Sequence, residues 1–404
     1  MNVLSVPEIL LPNESVDKTK WSVIACDQFT GDEKYWQKLE KFCGDVSTLK
    51  MIFPEIYLGK DEEKRIENIN ATMNAYLNGG VFDTVKGFIL TVRKTAYGRK
   101  RVGLIAAIDL ESYSFNEKLA IRPTEAIVPE RLPIRIKIRR NAPIELPHAL
   151  LLIDDESRSV IEPVYERRGE LKKLYSFDLN MNGGSLEGYL IEDVAPVISA
   201  IERLTDGKNL AEKYGDDKPF SFAVGDGNHS IATAKACFEE LKKTMPIDMA
   251  LAHPSRYCLV EINNIYDDDL VFEPIHRVVF GAGEDLLSAL RASLSGSDEV
   301  KVFFQGKFHK ILVPSNSALA IKNIQEIIDG FIAKNPSCSQ DYIHGDENAI
   351  ASANDNGALA VLMPKLKKED LFRYVAKNGV LTRKSFSMGE AEEKRYYYES
   401  RKIK

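Results

Sequence analysis

The architecture is most constrained by the segment Phe222-Ala223-Val224-Gly225-Asp226-Gly227-Asn228-His229-Ser230-Ile231-Ala232-Thr233-Ala234. Apolar residues alternate with smaller ones up to Val224, which predicts a strand, and Ile231 and Phe238 lie on one face of a following helix. The polar stretch Gly225–Ser230 separates the two, and we call it the glycine turn. A strand, a short turn and a helix in direct succession predict a mixed α/β fold.

The glycine turn has the composition of an anion-binding site. A helix N-terminus offers unpaired N–H groups and the positive end of the helix dipole, and Gly225 and Gly227 would let an anion approach the backbone. Asn228 or Asp226 is expected to cap the helix, and Ser230 completes its first turn. A larger side chain at Gly227 should then block the anion and leave the fold intact.

Two side chains of the turn are candidates for chemistry. His229 can donate to a phosphate oxygen or exchange a proton, and Asp226 can bind Mg²⁺ or act as a base. The alternative is a purely structural turn, in which Asn228 is the N-cap and His229 is a hydrogen-bonded residue near the core. The segment is neither a Walker A loop nor a complete GxGxxG fingerprint, so those two kinase classes are not supported.

Length and composition restrict the class of protein. A chain of 404 residues with 44% hydrophobic and 28% charged residues predicts two or three globular domains. The formal charge of -6 argues against nucleic acid as a partner. The longest apolar runs are too short for a membrane span, the N-terminal segment does not resemble an export signal, and the five cysteines are scattered. We therefore expect a cytoplasmic protein with reduced thiols.

Periodicity predicts further elements along the chain. Strands are expected over Trp21–Ala25, Gly87–Arg93, Arg101–Leu110, Ile134–Arg140, Leu146–Ile153 and Tyr257–Ile262. Helices are expected over Asp32–Phe42, Asp61–Leu77 and Glu192–Leu204. We expect an N-terminal α/β subdomain over residues 1–110, a central phosphate-binding core over 111–282 and a C-terminal α/β subdomain over 283–404.

A second group of charged residues lies in the middle of the chain. Three guanidinium groups and two carboxylates fall within one short segment, at Arg122, Glu125, Glu130, Arg131 and Arg135. Phosphate binding followed by proton abstraction requires both kinds of group, whereas a solvated face with ordinary ion pairs explains the same composition.

The glycine turn and three other segments carry a family resemblance. They are Cys26-Asp27-Gln28-Phe29-Thr30, Ile121-Arg122-Pro123-Thr124-Glu125 and Phe272-Glu273-Pro274-Ile275-His276-Arg277. Together with Phe222–Ala234 they resemble domain of unknown function 1015 (DUF1015), a family of uncharacterised bacterial and archaeal proteins, over most of the chain.

That family's helix start is similar to the one in the ParB/sulfiredoxin superfamily, which includes nucleotide-dependent free serine kinases. The resemblance implies a ParB/sulfiredoxin-like core and a nucleotide phosphate at the glycine turn. The sequence departs from the family pattern at Asn228, where a His is common, and at Ser230, where an Arg is common. We expect another Arg to replace it, and Arg122, Arg131 and Arg135 of the middle segment are the candidates. The predicted phosphate-binding residues are Gly225, Gly227, Asn228, Ser230, Arg122, Arg131, His276 and Arg277.

These observations predict a nucleotide-dependent phosphotransferase acting on a small hydroxyl-bearing metabolite, with ATP, ADP or CTP and Mg²⁺. Asp226, His229 and Glu125 are the predicted catalytic residues, with Glu125 as base and Asp226 also as metal ligand. A non-catalytic nucleotide-binding switch and a metal-dependent hydrolase of a small phosphorylated molecule are the alternatives. A homodimer is compatible with each of them.

Overall fold

The computed structural model describes residues 3–215 and 218–404, and it has the expected mixed α/β fold. The chain divides into two compact units. We call the first, formed by Met1–Pro123, Ile127–Leu270 and Glu390–Lys404, the main unit. The second unit is formed by Thr124–Ala126 and Val271–Gly389. The last fifteen residues of the chain thus belong with the N-terminal two thirds.

The strands of the main unit are β1 (Leu4–Ser5), β2 (Glu8–Pro12), β3 (Val23–Ile24), β4 (Phe82–Lys86), β5 (Phe88–Lys94), β6 (Lys100–Asp109), β7 (Ile121–Pro123), β8 (Ile144–Glu145), β9 (Leu150–Ile153), β10 (Lys172–Asp178), β11 (Ser185–Ile191), β12 (Phe222–Asp226), β13 (Tyr257–Asn264), β21 (Tyr396–Tyr397) and β22 (Arg401–Lys402). Its helices are α1 (Lys18–Trp21), α2 (Glu33–Cys43), α3 (Glu62–Asn78), α4 (Leu132–Arg140), α5 (Glu162–Glu166), α6 (Ala195–Leu204), α7 (Gly207–Tyr214), α8 (Asn228–Lys242) and α9 (Ile247–Ala252).

The largest sheet of the main unit has the strand order β10-β11-β5-β6-β13-β9-β12-β7, and β1 adds to β6. Strand β12 runs antiparallel to β9 and parallel to β7, and its register with β9 shifts between Val224 and Asp226. Gly225 is the extra residue of this bulge, which bends the strand where it enters the glycine turn. The glycine turn therefore begins at the end of an interior strand of the sheet.

The second unit contains the strands β14 (Phe272–Glu273), β15 (Ile275–Phe280), β16 (Asp298–Phe304), β17 (Lys307–Val313), β18 (Ser339–His344), β19 (Leu359–Leu362) and β20 (Ser387–Met388). Its helices are α10 (Glu284–Ser293), α11 (Ser317–Lys334), α12 (Asp346–Asn356) and α13 (Lys368–Asn378). Five of the strands form one sheet in the order β17-β16-β19-β15-β18, and β14 pairs with β20. Its small core includes Val278, Phe303 and Ala360.

Most of the predicted elements are confirmed within a few residues, including the β5–β6 hairpin, α2, α3 and α8. The strand predicted over Ile134–Arg140 is wrong, because this segment is helix α4. Alternation of apolar and basic residues over so few positions also places Ile134 and Ile138 one helical turn apart, and both line the same cavity. Trp21 ends α1 and does not begin the strand predicted there.

Among the described residues, no helix is both long enough and apolar enough to span a bilayer.

Candidate functional site

The glycine turn has a different capping arrangement from the one expected. Gly227 is the N-cap of α8, with φ 77°, and forms no side-chain cap. Oδ1 of Asp226 accepts a hydrogen bond from the amide of Gly227 at 2.8 Å. The buried side chain of Asn228 points back to the strand, where its Nδ2 donates to the carbonyl of Val224 at 3.3 Å. Asn228 therefore fastens the helix start to β12, and neither Asn228 nor Asp226 caps α8.

Gly227 faces protein. A Cβ atom on this residue would lie 2.8 Å from Cα of Ala149 and 3.0 Å from Cδ2 of His148. Relieving such a contact would require the backbone of Ala149 to shift, which costs free energy. The left-handed φ adds strain for any residue other than glycine. The expectation that a larger side chain here would leave the fold intact is wrong. Gly227 is needed because the turn packs closely on the segment that precedes β9.

The turn is nevertheless open to solvent. Gly225, Asp226, Gly227, His229 and Ser230 are all partly exposed. The amide of Ser230 donates to the carbonyl of Gly227 at 2.9 Å, whereas the amide of His229 has no hydrogen-bond partner among the described residues. The first turn of α8 thus keeps an amide without a protein partner, in a residue that is partly exposed.

His229 has a defined protonation state. Its Nε2 accepts a hydrogen bond from the amide of Val128 at 3.0 Å. Burial, together with the nearby guanidinium groups of Arg135 and Arg131, lowers the pKa of His229 to about 4, although Asp27 acts in the opposite direction. The imidazole is therefore neutral at pH 7 and carries its proton on Nδ1. The same cations that keep it neutral bring positive charge to the start of α8.

Arg131 and Arg135 differ in how firmly they are held. Arg135 is half-buried, forms an ion pair with Glu55 and donates to the carbonyl of Arg131 at 2.8 Å. Arg131 precedes α4, and its side chain is exposed. One guanidinium group near His229 is thus fixed, and the other extends into solvent.

The second carboxylate oxygen of Asp226 is occupied by the C-terminal segment. Nζ of Lys394 lies 3.3 Å from Oδ2 of Asp226, and the Lys394 side chain is largely buried. Since Oδ1 already accepts from the Gly227 amide, both oxygens of this carboxylate have partners.

A network of four residues, Cys26, Asp27, His148 and Tyr397, adjoins the turn. Nε2 of His148 lies 3.4 Å from Oδ2 of Asp27, and its Nδ1 lies 2.6 Å from the hydroxyl of Tyr397. That hydroxyl donates to Sγ of Cys26 at 3.3 Å. We call this set the His148 network. It contacts the turn directly, because Cδ2 of His148 lies against Gly227.

The charges of the His148 network form an ion pair. Burial alone would lower the pKa of His148, but the facing Tyr397 and Asp27 outweigh it, so this pKa lies well above its usual value. Burial alone would raise the pKa of Asp27, but His148, with help from Gln28 and Lys394, holds it well below its usual range. At neutral pH an imidazolium therefore donates to an ionised carboxylate.

A cavity of about 170 Å³ is bordered by the His148 network, by α4 and by the first two turns of α8. It is lined by Cys26, Met51, Ile52, Phe53, Glu55, Leu58, Met73, Ile134, Arg135, Ile138, Arg139, Ala142, Ile144, Glu145, Leu146, His148, Ala149, Ser230, Thr233, Cys258, Leu259 and Tyr397. The predicted helix start and a small-molecule cavity are thus adjacent parts of one site.

Arg122 belongs to the main unit and has structural contacts. Its guanidinium group donates to the carbonyls of Leu119, Lys218 and Pro219 and lies 4.4 Å from the ring centroid of Phe220. It is buried. These bonds tie β7 to the segment that leads into β12, so Arg122 supports the strand from which the turn begins.

Three other predicted residues lie in the second unit. Glu125 forms a β-bridge with Leu381. Nδ1 of His276 accepts from the amide of Met363 at 3.0 Å. The buried guanidinium group of Arg277 donates to Gln325 at 2.7 Å and to the carbonyl of Arg383 at 3.1 Å. His276 and Arg277 hold β15 to its neighbours within that unit.

Sequence reasoning underestimated four residues. His148 has the apolar neighbours of a core histidine, and Asp27 entered only as part of a family segment. Nothing near Lys394 or Tyr397 in the sequence links them to residues 226 or 148. The one available signal was the polar Cys26-Asp27-Gln28 directly after a short apolar strand, since side chains at strand ends commonly line sites.

The described parts of the chain contain no group of three or more His, Cys, Asp or Glu side chains close enough to hold a metal ion.

The family model described as "Protein of unknown function (DUF1015)" matches residues 10–398. The chain belongs to this family. The resemblance drawn from the glycine turn and the three other segments is thereby confirmed, because the match includes all four. A search of curated proteins gives no match.

Several solved structures are distantly similar. A mutant free serine kinase in complex with AMP has 11% identity and a TM-score of 0.39, over 74% of this chain and 91% of that one. A second mutant structure, in complex with ADP, has 11% identity and a TM-score of 0.38, over 74% and 92%. A C-terminally truncated SbnI from Staphylococcus aureus has 10% identity and a TM-score of 0.34, over 70% and 83%.

Proposed function

We propose that this protein binds a nucleotide phosphate at the glycine turn and transfers a phosphoryl group to a small hydroxyl-bearing metabolite. One observation carries the proposal: the partly exposed start of α8 combines a His229 amide that has no partner among the described residues with a neutral imidazole and two nearby guanidinium groups. Phosphoryl transfer depends mainly on positioning and on neutralising charge, so these are the parts it needs.

The phosphate would be held by donors of the first turn of α8. The amide and the Nδ1–H group of His229 donate to its oxygens, Ser230 contributes its hydroxyl, and Arg131 and Arg135 offset its charge. Arg131 and Arg135 take the place of the Arg that the family pattern has at position 230. The phosphate-binding roles predicted for Arg122, His276 and Arg277 stay predictions, and the hydrogen bonds described for these side chains are made to other segments.

Asp226 would position the phosphate-bearing end of the nucleotide. It is already paired with Lys394, which supplies a cation beside the turn. Mg²⁺ commonly binds through one or two carboxylates together with substrate phosphates, and Asp226 would act as such a ligand only by exchanging its contact with Lys394 for the ion. The ion would neutralise phosphate charge when it is bound.

Asp27 is the proposed base. Its carboxylate is ionised and partly exposed, and His148 orients it. The acceptor hydroxyl oxygen forms a bond to the terminal phosphorus, the bond from that phosphorus to the nucleotide oxygen breaks, and the hydroxyl proton passes to Asp27. A carboxylate with a low pKa is adequate, because the transition state of phosphoryl transfer is loose. Glu125, in the second unit, is the competing candidate for this role.

The test is to incubate the purified protein with nucleotide labelled in its terminal phosphate and a pool of small hydroxyl-bearing metabolites. Label on a metabolite supports transfer. Release of labelled inorganic phosphate alone supports a hydrolase, and tight binding without turnover supports a nucleotide-dependent switch. Either of the last two results would overturn the proposed reaction. The Asp27→Asn and Glu125→Gln variants, assayed in parallel, distinguish the two candidate bases.

A further inference from the structure

The cavity beside the glycine turn has two chemically different parts. Its polar end is formed by Cys26, His148 and Tyr397, with Ser230 from the first turn of α8. The rest of the wall is mostly aliphatic or aromatic. It comes from the segment before α3, from α3 and α4, and from β8 and β13, and it includes Phe53, Leu58, Met73, Ile134, Ile138 and Leu259.

The charged side chains in the wall are already paired with other protein groups. Arg135 pairs with Glu55. Arg139 pairs with Glu145 at 2.5 Å, and Glu145 also pairs with Arg401 at 2.7 Å. A charged ligand group entering the apolar part would lose its hydration and would have to compete with these ion pairs. The apolar part therefore favours an uncharged group.

The polar end consists of hydrogen-bonding groups that are linked to one another. His148 donates to Asp27 and to the hydroxyl of Tyr397, which in turn donates to Sγ of Cys26. The wall here presents a thiol, a phenol and an imidazole beside an ionised carboxylate. A neutral ligand with one hydroxyl at this end and an apolar remainder in the cavity would match both parts.

The volume of the cavity limits the size of the ligand's apolar part. A cavity of about 150 Å³ lined by apolar side chains is known to bind benzene. The cavity of about 170 Å³ observed in this protein therefore accommodates one aromatic ring or a branched alkyl group of comparable size.

We propose that the phosphoryl acceptor is a small uncharged alcohol whose apolar substituent fills this cavity. The acceptor thus differs from a polyol or a zwitterionic amino acid, whose polar groups would face the apolar wall. That the alcohol accepts a phosphoryl group rests on the proposed function. The preference of the cavity for such an alcohol does not require turnover.

Binding is measured first, by calorimetry or ligand-observed NMR, with benzyl alcohol and 3-methylbutanol against glycerol and serine as probes. We expect the two apolar alcohols to bind at least about tenfold more tightly than glycerol or serine. Equal or tighter binding of glycerol or serine would overturn the inference.

Two isoleucines of α4 provide a matched pair of variants. Ile138 lines the cavity, whereas Ile136, which is also half-buried, does not. Ile138→Trp should weaken benzyl alcohol binding by about tenfold or more, and Ile136→Trp should change it less than about threefold. Equal effects of the two variants would contradict the assignment.

A variant that enlarges the cavity gives a test whose expected result cannot be produced by misfolding. Ile134→Ala should shift the preference toward larger alcohols such as 2-phenylethanol, a gain that an unfolded protein does not show. An unchanged order of affinities in a folded Ile134→Ala protein would count against the cavity as the binding site.

Transfer assays with the same alcohols separate the two proposals. Apolar alcohols that bind without becoming phosphorylated by any nucleotide would remove the proposed function and leave the cavity preference standing. Phosphorylation of serine or glycerol in preference to the apolar alcohols would remove the inference and leave the transfer reaction standing.

Discussion

Nζ of Lys394 lies 3.3 Å from Oδ2 of Asp226, although the two residues are 168 positions apart in the chain. The segment that brings Lys394 to the glycine turn continues into β21, which pairs with β3 next to Cys26 and Asp27. The C-terminal residues therefore contact both the turn and the His148 network, and the site is complete only when this segment is docked.

The Lys394–Asp226 pair predicts a role for Lys394 in anion binding. Lys394→Met should weaken nucleotide binding by about fivefold to tenfold, because Asp226 would then present an uncompensated negative charge to the phosphate. Calorimetric titration with the nucleotide measures this. Lys402→Met, an exposed position on β22, is the matched control and should bind like the wild type. Equal affinities of wild type and Lys394→Met would argue against a phosphate beside Asp226.

The His148 network predicts a separation of turnover from binding. Asp27→Asn and His148→Gln should each lower kcat by about a hundredfold or more and change nucleotide affinity by less than about threefold, since the network acts on the acceptor proton. Glu125→Gln should leave kcat within about threefold of the wild type. The assignment of the base is reversed if Glu125→Gln abolishes turnover and Asp27→Asn does not.

The packing of Gly227 predicts a large loss of stability on a minimal substitution. Gly227→Ala should lower the free energy of unfolding by roughly 3 kcal/mol, because its Cβ would meet the backbone of Ala149 in addition to the left-handed strain. Gly98→Ala has nearly the same φ, 76° against 77°, and open space around its Cβ, so it isolates the strain at about 1 kcal/mol. Denaturant unfolding gives both values, and equal losses would contradict the close contact.

The lowered pKa of His229 predicts a pH dependence of stability. The folded pKa of about 4 lies below the value of 6.5 expected for an unfolded histidine, so the unfolded chain takes up this proton first as the pH falls. The contribution of His229 is complete above the unfolded pKa and is lost as the pH falls toward 4. Between about pH 7 and 5, the wild type should lose about 1 kcal/mol more than His229→Gln. Parallel losses in the two proteins would show that His229 titrates normally.

Local sequence signals predicted the central strand–turn–helix unit well. Alternation up to Val224 and helical spacing from Ile231 specify β12 and α8 without reference to the rest of the chain. The sequence also indicated that glycine is needed in the turn. It could not show that Gly227 is needed for close packing, because the neighbour, Ala149, lies on another segment.

The tertiary part of the site was not predictable from local pattern. Ile134–Arg140 has both a strand and a helix periodicity, and the segment forms a helix that packs against α8, a contact that local pattern does not reveal. The pairing of His148 with Asp27 and of Lys394 with Asp226 depends on contacts across more than one hundred residues. Such pairs leave no periodic trace in a single sequence.

The central claim is that a nucleotide phosphate binds to the start of α8. The most direct test is an NMR titration of the isotopically labelled protein with nucleotide, following the backbone amide and the Nδ1–H group of His229. The account predicts that both protons shift downfield with the same saturation curve, as expected for donors to a phosphate oxygen. Saturable nucleotide binding that leaves both His229 signals unchanged would contradict it.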